Sequence, residues 1–299
     1  MLDRIKLNVV WICKQSIYIC GTLFSLVAVI TSFITWEEMG IERQKRLWIF
    51  SAIILCSFIT ATIYIFVFKR KNIIWKKGNG KLQVCYGDVI KLGNHKHSKG
   101  KQIIVIPVNT CFDTLVDNDI AMVEKPLISP KSIHGQWVNV MINSGISLEE
   151  LDSKIAQSIQ VHNLQPVKSY TREEKLRGKL DEYPLGTVVP VSLKENTTFF
   201  LFALSELDEN NKAQCTECDF IDGLVQLIDS YDEMGQGFEM FLPLVGTGMA
   251  RTNIQHQDAL RKIKAIFELY RSKIKGTVNI VIYSRDIQYC FRKRRTHRI

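Results

Sequence analysis

Charge is absent from two long stretches of this 299-residue chain. Residues 17–36, including "TLFSLVAVITSFIT", carry none over twenty positions, and residues 47–68, "LWIFSAIILCSFITATIYIFVF", carry none over twenty-two. Neither run has a polar stripe, which excludes the amphipathic helix of a soluble bundle, and about 20 apolar residues span a bilayer core. No small-x-small cleavage site follows the first run and a second run begins ten residues later, so a signal peptide is also excluded. A second Cys-x-x-Cys to join Cys215 and Cys218 is missing, as is a histidine pair at zinc spacing. With only two of four ligands available, a structural zinc site is not expected. His95 and His97 fall in a Lys-rich loop and read as a solvated turn. Neither a GK[ST] phosphate loop nor a GxGxxG fingerprint occurs, and there is no internal repeat or low-complexity tract.

What is present begins with a membrane hairpin. Arg4, Lys6 and Lys14 precede the first run, and Lys69, Arg70, Lys71, Lys76 and Lys77 follow the second. The connector "EEMGIERQKR" balances its charges. By the positive-inside bias both termini are expected on the cytoplasmic side of the membrane, with the connector outside. Trp36 and Trp48 stand at the connector ends, as interface anchors do. The net charge of +9 is accounted for by the five basic residues after the second run and five in the tail (Arg292, Lys293, Arg294, Arg295, Arg298). Both groups suit an anionic leaflet, and without interleaved aromatics they do not point to nucleic acid. The expected segments are a basic N-terminal stretch at 1–14, the hairpin at 15–68, a basic linker at 69–80 and a cytoplasmic domain at 81–299. Cysteines on the cytoplasmic side are expected to stay reduced.

After the linker the pattern alternates. "LQVCY", "QIIVIPVN", "WVNVMI", "TVVPVSL", "TFFLFALS", "FEMFLPLV" and "TVNIVIY" read as strands, several of them solid apolar runs typical of strands buried on both faces. Helices are expected from the Ser147–Glu150 capping signal to about His162, from Thr216 to Tyr231, and from Gln255 to Lys273. Strands alternating with helices imply α/β layering. Ligands of open α/β sheets bind beyond the carboxyl ends of the strands. Three loops qualify: Gly87-Asp88 after "LQVCY", Asn109-Thr110 after "IIVIPV", and Gly246-Thr247-Gly248-Met249-Ala250-Arg251 after "FLPLV". The last brings backbone N–H groups and a helix N-terminus close to a ligand, which favours phosphate; a plain tight turn is the alternative.

In combination these loops resemble those of a macro domain, the α/β module that binds ADP-ribose and related NAD-derived nucleotides. "YGDVIKL" resembles the family's early "GDI" segment, whose aspartate accepts from the adenine amino group, and so implies that role for Asp88. "IIVIPVN" resembles the "AIVNAAN" strand, whose last asparagine meets the distal ribose, and implies it for Asn109, with Thr110 beside it. "YPLGTVVPV" resembles a later turn and strand, and "LPLVGTGMAR" the loop that cradles the diphosphate. The last implies ligand contacts from Gly246, Thr247, Gly248, Met249 and Arg251. Order and approximate spacing agree over roughly residues 82–285. The family's first glycine-rich loop is missing after Asn109, where "TCFDTLVDNDIAMVEKPLISPKSIHGQWV" stands, and Ile106 replaces the first asparagine of "NAAN". Hydrolases of the family use that region to position water, so the resemblance implies binding without turnover.

The hairpin together with the variant domain is similar to the macro-domain membrane effectors of Thoeris-type antiphage systems. The expected fold is a transmembrane helical hairpin followed by a macro-like three-layer α/β domain with a mixed sheet. In such systems a TIR-domain partner converts NAD into an ADP-ribose-derived messenger, and "SIHGQ" occupies the altered loop. The resemblance therefore implies an ADP-ribose derivative as ligand, no cofactor or metal, contacts from His134 and Gly135 near Ser132, and homo-oligomers that disrupt the bacterial inner membrane. A solvent-facing His134 is the alternative. Two other functions stay open: a tethered ADP-ribosyl hydrolase with Asp113, Asp117 or Asp119 as base, and a passive anchor for a partner protein.

Overall fold

The computed structural model describes residues 2–67, 71–93, 100–119, 122–194, 196–246, 254–283, 286 and 290. The chain divides between Asn72 and Ile73 into two compact units. The first is a pair of helices, α1 (Leu2–Phe33) and α2 (Arg43–Val67). Within them Ile12–Phe33 and Arg43–Tyr64, 22 residues each, are long and apolar enough to cross a membrane. Stacking of Phe24 on Phe50, with ring centroids 5.1 Å apart, and burial of Ile12 against Ala61 hold the pair together. In the connector the Glu38 carboxylate accepts from the Thr35 N–H at 2.7 Å and the Thr35 hydroxyl at 2.9 Å. The hydroxyls of Thr22, Ser25, Thr31, Ser32, Ser57 and Thr62 each donate to a carbonyl one turn back, so these polar groups are satisfied inside their own helices.

The second unit opens inside β1 (Lys71–Lys77), followed by β2 (Gly80–Tyr86), the short α3 (Val89–Gly93) and β3 (Gln102–Asn109). Helices α4 (Ile133–Asn143) and α5 (Leu148–Val161) follow, then a two-stranded ribbon of β4 (Lys168–Ser169) and β5 (Asp181–Glu182). After these come β6 (Val188–Lys194), β7 (Thr197–Leu207), β8 (Ala213–Gln214), α6 (Glu217–Met234), β9 (Glu239–Pro243), α7 (His256–Leu269) and β10 (Thr277–Ile282). The main sheet runs β1-β2-β10-β9-β3-β7-β6, with β8 added to β7. Strands β2, β10, β9, β3 and β7 pair in parallel with one another, whereas β6 is antiparallel to β7, so the sheet is mixed.

The apolar run of β3 is buried on both faces. Ile103 and Val105 belong to the core under α6 and α7, while Ile104, Ile106 and Val108 join the core under α4 and α5. This alternation, repeated in β7 and β10, gives the three layers. Two expectations are corrected. Within the stretch expected as a linker, residues 71–77 form strand β1, followed by a two-residue turn. "WVNVMI" is helix, not strand. Ser132 caps α4 by accepting from the Gly135 N–H, and the buried residues His134, Trp137, Val138 and Met141 follow a helical period that a six-residue window conceals.

Candidate functional site

The parallel strands end on one side of the sheet, and a cleft of about 1170 Å³ opens there. Its floor and walls come from Asp88 after β2, Pro107–Asn109 of β3, Ser205 of β7, Pro243–Gly246 at the end of β9, and Tyr283 after β10. Residues 126–134 form a further wall facing the β7–β8 turn. Apolar side chains predominate, with a few polar groups among them, as ligand clefts require.

Asp88 initiates α3. Its Oδ1 accepts from the N–H groups of Ile90 at 3.0 Å and Lys91 at 3.3 Å, which holds the carboxylate at the cleft edge. Asn109 is reached where the pairing of β3 with β7 slips register between Val108 and Asn109. It lines the cleft yet is 5% exposed. Gly246 also lines the cleft, at φ +84°, with Phe220 of α6 directly beneath. Thr247, Gly248, Met249 and Arg251 lie outside the described residues.

His134 occupies the first turn of α4 and is buried at the cleft wall, not solvent-facing. Burial pushes its pKa down to about 3, and the Lys179 cation adds to this against the opposing pull of the Asp113 carbonyl. The imidazole is therefore neutral near pH 7, with one donor and one acceptor nitrogen. A base whose folded pKa lies below its unfolded value, about 6.5, binds fewer protons when folded, so stability falls as pH falls. We expect His134 to contribute a loss of up to about 1.4 kcal/mol per pH unit as pH falls through the window from 6.5 towards 3, and His134→Gln to flatten that slope. Denaturant titrations at pH 5 and 7 measure it.

Two expected site residues are not on the cleft wall. Thr110 is 1% exposed and its hydroxyl donates to Glu182 at 2.9 Å, behind the site. Gly135 serves packing: a Cβ there would stand 2.2 Å from the Ser129 carbonyl oxygen, so only glycine lets α4 approach the Ser129–Pro130 wall this closely. The aspartates considered as bases also point elsewhere. Asp113 pairs with Lys175 at 3.1 Å, Asp117 is held by Arg177 at 2.5 Å, and Asp119 is exposed. Of Cys215 and Cys218 the first is buried, its thiol pushed up to about 12 by burial, and the second is exposed. Among the described residues no three His, Cys, Asp or Glu side chains gather to hold a metal.

Sequence reasoning missed Ser205, Tyr283 and Asp286 as cleft residues. The rule that ligands bind at the carboxyl ends of parallel strands reaches Tyr283, which directly follows "TVNIVI". Nothing local flags Asp286, which approaches His256 of α7 at 3.8 Å.

Comparison with known proteins bears on the same region. The family model for the macro domain of Thoeris protein ThsA matches residues 82–283. Thoeris protein ThsA of Bacillus amyloliquefaciens (strain Y2) is 22% identical over 263 residues, covering 86% of this chain and 80% of that protein. Among solved structures, the Oceanobacillus iheyensis macrodomain with ADP is 12% identical and covers 74% of this chain and 92% of its own, at a TM-score of 0.43. A macrodomain protein from Streptomyces coelicolor is 12% identical and covers 66% and 97%, at 0.33.

Proposed function

The chain belongs to the macro-domain family of Thoeris protein ThsA, and on that premise we propose that it is a membrane effector of antiphage defence whose cleft binds an ADP-ribose-derived messenger made by a TIR-domain partner. The observation that carries this reading is the convergence of Asp88, Asn109 and Gly246 on one cleft at the carboxyl ends of parallel strands. These three come from the segments that resemble the adenine, distal-ribose and diphosphate loops of macro domains. A neutral, buried His134 adds a group that can meet a hydroxyl or amine donor.

Binding without turnover is supported by the ion pairs that occupy Asp113 and Asp117, which leave neither carboxylate free to activate water. The output is carried by α1 and α2, anchored by basic residues that an anionic inner leaflet attracts at about 1 kcal/mol each. Two helices per chain are too few to enclose a path, so activation involves a homo-oligomer. The messenger drives it only to the extent that it binds the active arrangement more tightly than the resting one.

The test uses the full chain. In nanodiscs of anionic lipid, calorimetry is expected to detect ADP-ribose binding with no loss of nucleotide on prolonged incubation. In dye-loaded vesicles of the same lipid, release is expected only when product of a TIR enzyme acting on NAD is added. Absence of nucleotide binding sinks the sensor reading, and steady consumption of ADP-ribose conjugates replaces it with the hydrolase.

A further inference from the structure

Asn109 is gripped at both ends of its amide by one residue. Its Oδ1 accepts from the backbone N–H of Asp113 at 3.1 Å, and its Nδ2 donates to the Asp113 carboxylate at 3.0 Å. A carboxylate only accepts and a backbone N–H only donates, so the two bonds together dictate which end of the amide is oxygen. Turning the amide over would set oxygen against oxygen and N–H against N–H. What Asn109 then offers the cleft is its second Nδ2 hydrogen and its second Oδ1 lone pair, in one orientation.

The carboxylate that enforces this is itself held in place from a distant segment. The Asp113 side chain is fully buried, and Lys175, 9% exposed, donates to its Oδ2 at 3.1 Å. The Lys179 N–H donates to its Oδ1 at 2.6 Å. Lys175 is fixed in turn, donating also to the Lys179 carbonyl at 2.6 Å. None of these three side chains lines the cleft. Gly178, at φ +79°, passes so close that a Cβ would stand 2.3 Å from Asp113 Oδ1. A buried ion pair contributes little net stability compared with an apolar pair of the same volume, so its place directly behind a cleft residue calls for another account.

We propose that Asp113, held by Lys175, is a positioning residue that sets the amide orientation of Asn109 and so selects for a ligand with a ribose beyond the diphosphate. The proposal rests on the nucleotide-binding reading above and adds to it the group that makes Asn109 selective. Asp113, in the segment standing in place of the family's glycine-rich loop, has on this account a recognition role exerted from outside the cleft.

The experiment measures Kd for ADP-ribose and for ADP with the full chain in nanodiscs. ADP shares the adenine and diphosphate but lacks the distal ribose. In Asp113→Asn the carboxylate oxygen that accepts from Asn109 Nδ2 can be replaced by an amide donor, leaving only the backbone N–H to orient Asn109, and the preference for ADP-ribose over ADP is expected to fall about tenfold with ADP affinity unchanged, the scale of one well-made hydrogen bond. Asn109→Ala is expected to lose the same preference, and the double variant to lose no more. An equal fall for both nucleotides, or an unaltered preference, overturns the proposal in favour of a purely structural ion pair. Should Asp113→Asn fail to fold, the charge-free pair Asp113→Leu with Lys175→Met, which strands no charge, is expected to lose the preference and Lys175→Arg to retain most of it. An equal effect of these two on both nucleotides overturns the proposal likewise. Failure of the unaltered protein to bind either nucleotide is a separate result and removes the underlying reading itself.

Discussion

Gly246→Val is expected to abolish nucleotide binding and to destabilise the domain together. Gly246 holds φ at +84°, a region that a β-branched residue enters only at a cost of roughly 1–3 kcal/mol. The new Cβ would also stand 2.8 Å from the Phe220 ring, which is fully buried in the core under α6. Either the ring or the backbone must move. The ring is packed against the β-sheet, so the backbone of the loop after β9 gives way, and with it the close approach to a ligand. Calorimetry on the full chain in nanodiscs should show no ADP-ribose binding above about a hundredth of the original affinity, equivalent to about 2.8 kcal/mol. A thermal melt of the same sample should shift down. Retained affinity would mean that the loop does not touch the ligand. Gly246→Ala, with the same φ and a smaller group, is expected to fall between the two.

Lys175→Met is expected to be among the most damaging substitutions away from the apolar core. The side chain is nearly buried and neutralises a carboxylate with no exposure at all. Removing one partner of such a pair typically costs about 3–5 kcal/mol, because the remaining charge is left in a medium that solvates it poorly. Asp113 would keep the Asn109 amide and the Lys179 N–H as donors but no cation at its Oδ2. Denaturant unfolding of the full chain, followed by tryptophan fluorescence, reads the loss. Trp137 reports well there, because it is buried in the core under α4 and α5. Lys175→Met combined with Asp113→Leu should be more stable than Lys175→Met alone, since no charge is then stranded. Recovery by the double variant attributes the damage to the uncompensated charge and not to lost packing of the lysine stem.

Much of the architecture could be read from local pattern. "QIIVIPVN" is β3 from end to end, and the Ser147 signal opens α5 by accepting from the Glu150 N–H, while Thr216, the expected start of α6, caps it by accepting from the Asp219 N–H. Periodicity and capping are properties of a few neighbouring residues, so they survive in a linear reading. "WVNVMI" misled because a short, nearly all-apolar run rich in β-branched and aromatic residues fits a buried strand, and only the wider frame from Ser132 to Met141 shows the helical stripe. The "KRKNIIWKKGNG" segment misled through its charge, which drew attention away from Ile73, Ile74 and Trp75, the residues that make it a strand.

The amino-acid sequence by itself therefore determined the two membrane-length helices, the alternation of strands and helices, and the candidate ligand loops at the ends of "LQVCY", "IIVIPV" and "FLPLV". Each follows from spacing within one element. Tertiary structure alone decided which of those residues face the cleft. Thr110 turned inward to Glu182, 72 positions away, and Gly135 went to packing against Ser129. Asn109 was locked through Asp113 to Lys175, itself 62 positions from Asp113. Contacts across such separations leave no period in the chain. They are set by the requirement that every buried polar group find a partner, and only the folded molecule shows which partner each one found.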